Sequence, residues 1–116
     1  MQNCIKEDNV VNRLPYGENV KLRLKKLIQI ILNSGLDCKE IILFGSYARF
    51  EQTIQSDLDI LLLTSCEVDQ VQRGYLASVF EENKADLIFC TLEQFMSSNC
   101  LLYENIRKDG IMLWKA

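Results

Sequence analysis

Two apolar runs constrain this chain most: Glu40-Ile41-Ile42-Leu43-Phe44 and Asp57-Leu58-Asp59-Ile60-Leu61-Leu62-Leu63. Each is too short for a buried helix and is bounded by turn residues, so each reads as a strand. The connection between them is brief, which favours antiparallel pairing. A third run, Ala85 to Cys90, follows a segment of helical periodicity long enough to serve as a crossover, so it is expected to lie parallel to the second. Together the runs predict an α/β fold, a small mixed β-sheet with helices packed on it.

The helices follow from spacing. Val20, Leu24, Leu27, Ile28, Ile31 and Leu32 recur at three- and four-residue steps between Glu18 and Ser34, with Gly35 as a stop. Val68, Val71, Tyr75, Leu76, Val79 and Phe80 do the same between Glu67 and Asn83, which predicts the crossover helix. Ser46 is expected to cap a short helix over Tyr47 to Glu51, and Thr91 to cap a pair of short helices over Leu92 to Lys108, broken near Ser97-Ser98-Asn99. Asp109-Gly110 reads as a turn into a last apolar strand, Ile111 to Trp114. Residues 1–16 carry no apolar pattern and read as an N-terminal arm, leaving residues 17–116 as a single domain.

Charge and composition exclude several classes of function. Thirteen basic against sixteen acidic residues leave a net charge of −3, which makes nucleic acid an unlikely main ligand. The chain has no histidine, so neither a His general base nor a His metal site is available within it. Its five cysteines are widely spaced with no C-x-x-C pair, which indicates neither a disulfide framework nor zinc. No apolar run reaches the roughly 18 residues of a membrane span, and the expectation is a cytoplasmic protein with no membrane contact.

The chemistry-bearing residues sit at the strand ends. Residues two apart on a strand project from one face about 6.6 Å apart, so Asp57 and Asp59 face the same way. Asp86 opens the next predicted strand at the equivalent point, and parallel pairing would bring all three carboxylates to one end of the sheet. An all-carboxylate cluster suits a hard divalent cation such as magnesium, which is commonly held by one or two carboxylates together with substrate phosphates. Lys84, beside Asp86, is the alternative neutralising charge. Gly45-Ser46, at the end of the first strand, lets backbone amides approach an anion, and Arg49 lies one turn further on, able to reach the same anion or to pair with an acid. A Gly-Ser turn and an Asp-x-Asp on a strand are each ordinary surface features by themselves; Asp86 is what joins them. Tyr47 and Phe50 are expected to pack rather than touch a ligand, Lys21, Arg23, Lys25 and Lys26 to form the wet face of the first helix, and Cys90 to be an inert thiol.

With these motifs the chain resembles the minimal nucleotidyltransferases of the polymerase-beta-like superfamily, whose signature is a G-S pair inside GSYARG, a D-x-D written SDID or SDLD, and a third acid on a later strand. The resemblance rests on Gly45 and Ser46, Asp57 and Asp59, and Asp86, and extends through the tail LYENIRKDGIMLW. It implies a metal-dependent transfer of AMP from ATP, or another nucleoside monophosphate from its triphosphate, to a hydroxyl. Asp57, Asp59 and Asp86 would then bind magnesium, with two ions expected, Asp86 would help activate the hydroxyl, and Gly45 and Ser46, with Arg49 nearby, would bind the nucleotide. It further implies an antitoxin acting on a partner HEPN-domain toxin, with a toxin tyrosine as the acceptor. The resemblance leaves two alternatives open, an antitoxin that neutralises by binding alone and a transferase acting on a small molecule such as an antibiotic. One position departs from the pattern: Phe50 stands where the family usually has glycine.

Overall fold

The computed structural model describes residues 10–116. In chain order they form α1 (Glu18–Leu32), β1 (Cys38–Phe44), α2 (Gly45–Ala48), β2 (Leu58–Thr64), α3 (Gln70–Glu82), β3 (Ala85–Thr91), α4 (Leu92–Ser97), α5 (Leu101–Asp109) and β4 (Ile111–Lys115). The four strands form one mixed sheet in the order β3-β2-β1-β4. β1 pairs antiparallel with β2 and with β4, and β2 runs parallel to β3, as the connection lengths predict. Among the described residues no helix is long and apolar enough to cross a membrane.

Alternation along the strands divides the interior into two cores. Ile41 and Leu43 of β1 and Leu58, Ile60 and Leu62 of β2 face α1, where they meet Leu24, Leu27, Ile28 and Ile31, together with Phe80 of α3. Their neighbours Ile42, Phe44, Leu61 and Leu63 face the other way and are covered by Cys90, Phe95 of α4 and Ile106 of α5. The second core is the smaller, and it leaves one end of its sheet face open.

The cover of that second core is held by specific ties. Thr91 closes a capping box on α4, accepting from the Gln94 amide at 3.1 Å while the Gln94 side chain accepts from the Thr91 amide at 3.3 Å. Arg107 of α5 donates to the Phe95 carbonyl at 2.5 Å and to the Ser98 carbonyl at 3.3 Å, with its guanidinium 5.3 Å from the centre of the Phe95 ring. Replacing Arg107 by Ala removes both bonds and the ring contact and should cost about 1–2 kcal/mol in urea denaturation. An unchanged midpoint would show that α4 and α5 hold together without it.

The structure departs from three expectations. The crossover helix begins at Gln70, not Glu67, because Asp69 caps it by accepting from the Gln72 amide at 2.9 Å. It buries only Leu76 and Phe80 and leaves Val71 and Tyr75 exposed at 84% and 67%, so half of its apolar spacing faces outward. The N-terminal segment is also less separate than its composition suggests. Residues 1–9 lie outside the described residues, but Val11 and Tyr16 are buried in the main core. On α1 the basic residues are only partly a wet face, since Lys21 donates to the Asn12 carbonyl and Arg23 to that of Lys84.

Candidate active site

The register of the sheet decides where the acids lie. Asp59 is opposite Asp86 on β3 and opposite Phe44 on β1, so it stands between the third carboxylate and the Gly45-Ser46 turn. Strand parity puts it on the face of Leu61 and Leu63, at the open end of the smaller core. Asp57 precedes β2 by one residue and is exposed, as is Asp86, whereas Asp59 is half-buried. Burial pushes the Asp59 carboxyl above its ordinary range, the Asp86 and Asp57 charges push it further, and Arg49 offsets this in part. The backbone therefore gathers the three acids at one end of the sheet. Among the described residues, no three acidic or thiol groups come together at metal-ligating spacing.

The donor chemistry is of the kind that a divalent cation takes. The donors are all carboxylate oxygens, and the like charges of Asp86 and Asp57, acting on an Asp59 already raised by burial, are offset only in part by Arg49. Lys84 does not serve, since it is exposed and forms no ion pair with the acids among the described residues.

The Gly-Ser turn and the acids touch. Gly45 has φ +77, a conformation that favours glycine, and a Cβ placed on it would lie 3.0 Å from Cγ and 3.2 Å from Cβ of Asp59. The volume that a side chain would occupy is thus filled by the Asp59 carboxylate. The two motifs are in van der Waals contact.

The local structure of the turn also differs from expectation. The helix begins at Gly45 with Phe44 at its cap and no side-chain cap, so Ser46 lies inside it rather than before it. Its C-terminal end closes as a Schellman motif, with the Glu51 amide bonding the Ser46 carbonyl at 2.9 Å and the Phe50 amide the Tyr47 carbonyl at 3.1 Å. Phe50 occupies the left-handed position of that motif, φ +57. Glycine is suited there by backbone geometry. Tyr47 is buried as expected, but Phe50 is 57% exposed. Glycine should therefore outdo alanine at position 50 by about 1 kcal/mol, the reverse of their helix order, in paired denaturation curves of Phe50→Gly and Phe50→Ala. Equal stability of the two would refute the assignment. Arg49 pairs with Glu51 at 3.1 Å while still acting on Asp59 through space.

Beside the turn lies a cleft of about 150 Å³ lined by Phe44, Gly45, Arg49, Leu102, Asn105, Ile106 and Asp109. Asn105 and Asp109 did not stand out in the sequence. Their signal was their spacing, since positions 102, 105, 106 and 109 share one face of α5, where Ile106 is buried.

Residues 24–111 match the nucleotidyltransferase domain family. The chain belongs to that family. Solved structures agree with it. A toxin–antitoxin complex with AMP-PNP superposes with a TM-score of 0.63 at 26% identity, covering 78% of this nucleotidyltransferase and 72% of that chain. A complex of tri-AMPylated Shewanella oneidensis HEPN toxin with MNT antitoxin gives a TM-score of 0.60 at 25% identity, over 83% and 72% of the two chains. A candidate nucleotidyltransferase from Sulfolobus solfataricus covers 97% of this chain and 87% of its own with a TM-score of 0.59; at 21% identity this is a likeness of fold. No curated protein matches the chain.

Proposed function

We propose that this nucleotidyltransferase transfers AMP from ATP to a tyrosine hydroxyl of a HEPN-domain toxin and so acts as its antitoxin. The observation that carries the reading is Asp59, packed against Gly45 on one side and paired with Asp86 on the other. It supports reading the Gly-Ser turn and the acids as one site. The AMP-PNP of one structural neighbour and the AMP-modified HEPN toxin of another support the nucleotide and the partner.

In this reading Gly45 and Ser46 hold the β- and γ-phosphates through backbone amides and the serine hydroxyl, and Arg49 leaves Glu51 to meet them. Asp57 and Asp59 would hold divalent cations, and Asp86 would complete the second cation position. Magnesium held there would supply positive charge against the triphosphate and the leaving pyrophosphate. The acceptor oxygen attacks the α-phosphorus, the bond to pyrophosphate breaks, and the hydroxyl proton passes to the Asp86 carboxylate. α5 carries exposed apolar residues, Leu102 (40% exposed) in the lining of the cleft and Leu101 (70%) next to it in the chain, which suit a protein acceptor. Leu113 and Trp114, by contrast, are core residues.

The test is transfer of label from α-labelled ATP, with magnesium, to a HEPN toxin that the protein neutralises. Label on the toxin is expected with wild type and not with Asp57→Asn plus Asp59→Asn. Neutralisation retained by the doubly substituted protein, with no label transferred by wild type, would establish the binding-only alternative.

A further inference from the structure

The Gly45–Glu51 turn is poorly equipped to hold itself. Its helix is four residues long, and the position that wants glycine carries Phe50. Support comes from outside. The Tyr16 hydroxyl, buried, donates to the Tyr47 carbonyl at 2.5 Å, the same oxygen that accepts the Phe50 amide. Its ring meets the Tyr47 ring edge-on at 5.6 Å and lies 5.9 Å from the Phe50 ring. Tyr16 is 8% exposed and anchored in the core with Val11. Burial, with Tyr47 adding to it, pushes its hydroxyl up to about 12, so it is a donor at neutral pH.

We propose that Tyr16 is a positioning residue for the nucleotide-binding turn, holding Gly45 and Ser46 in their phosphate-binding geometry through the Tyr47 carbonyl and the Phe50 ring. The inference rests on the transferase reading and extends it: the segment before α1 belongs to the working site, and Tyr16 provides through contacts what glycine at position 50 would provide through backbone freedom. Ring contact with Tyr16 also accounts for a phenylalanine at a left-handed position. The two residues are complementary, so a change at one alters what is required of the other.

The test measures binding of magnesium and a non-hydrolysable ATP analogue by calorimetry, at a temperature where circular dichroism shows every variant folded. Tyr16→Phe removes one oxygen and should weaken binding about fivefold, the equivalent of one buried hydrogen bond. Tyr16→Leu, lacking ring and hydroxyl, should weaken it further. Adding Phe50→Gly to Tyr16→Phe should restore affinity to within about twofold of wild type, because the turn then closes without strain. Amide exchange at Phe50 and Glu51 should quicken in Tyr16→Phe while that of Leu61 does not. A purely structural role would lower the melting temperature and leave the affinity of the folded protein unchanged, so wild-type affinity in folded Tyr16→Phe and Tyr16→Leu overturns the inference. Absence of binding by wild type itself would overturn the transferase reading, and this inference with it.

Discussion

Asp59→Asn is expected to cut nucleotidyl transfer by on the order of 10³-fold, because a correctly held metal contributes several kcal/mol of transition-state stabilisation and each 1.36 kcal/mol is a factor of ten. The same substitution should leave the protein at least as stable as wild type at neutral pH. The Asp59 carboxyl is raised above its ordinary 3.8, first by burial and then by Asp86 and Asp57. A group raised in this way binds its proton more tightly folded than unfolded. Its stabilising contribution is complete below the unfolded pKa and is lost as pH rises through the folded one. Asparagine does not ionise, so the stability of wild type relative to Asp59→Asn should fall as pH is taken from about 3 to 7 in thermal denaturation. Magnesium should reverse this by stabilising wild type more than the variant. A variant that is markedly less stable at pH 7 would mean that the carboxylate has a partner that the structure does not show.

Gly45→Ala is expected to damage both the fold and the site. A left-handed φ costs a non-glycine residue about 1–2 kcal/mol, and the new methyl must also displace the Asp59 carboxyl, so a total loss of about 2–4 kcal/mol should appear in urea denaturation. Transfer should disappear, since Asp59 and the turn move together. A double-mutant cycle with Asp59→Ala isolates the contact. If the carboxylate is what demands glycine, the double variant should be more stable than the sum of the singles predicts by about 1 kcal/mol or more. Strict additivity would leave φ as the sole reason for glycine and would separate the two motifs again.

Much of this architecture was legible in the sequence where local signals are strong. The three main strands, their parallel and antiparallel pairing, the Thr91 cap and the break between α4 and α5 all followed from run length, connection length and polar punctuation. Periodicity failed at α3, where Val71 and Tyr75 fit the helical spacing as well as Leu76 and Phe80 do. Spacing says that two residues share a face, not that anything covers it. Ser46 failed as a cap because the helix starts one residue early, at Gly45, whose left-handed φ no spacing in the sequence announces. Asn105 and Asp109 became visible only once α5 was seen to wall the cleft.

Residue types and their parity are properties of the chain alone. They determined that Asp57 and Asp59 stand two apart at the start of one strand, that Asp86 opens the next, and that a Gly-Ser turn ends the strand before them. Strand register and core packing decided the rest. That Asp59 fills the space of a missing side chain on Gly45, that Phe50 sits at a left-handed helix end, and that Tyr16 reaches across to hold the turn are contacts between segments brought together only on folding. Such contacts leave no periodic trace in a sequence, because their energy comes from the close fit of particular surfaces rather than from any repeated preference along the chain.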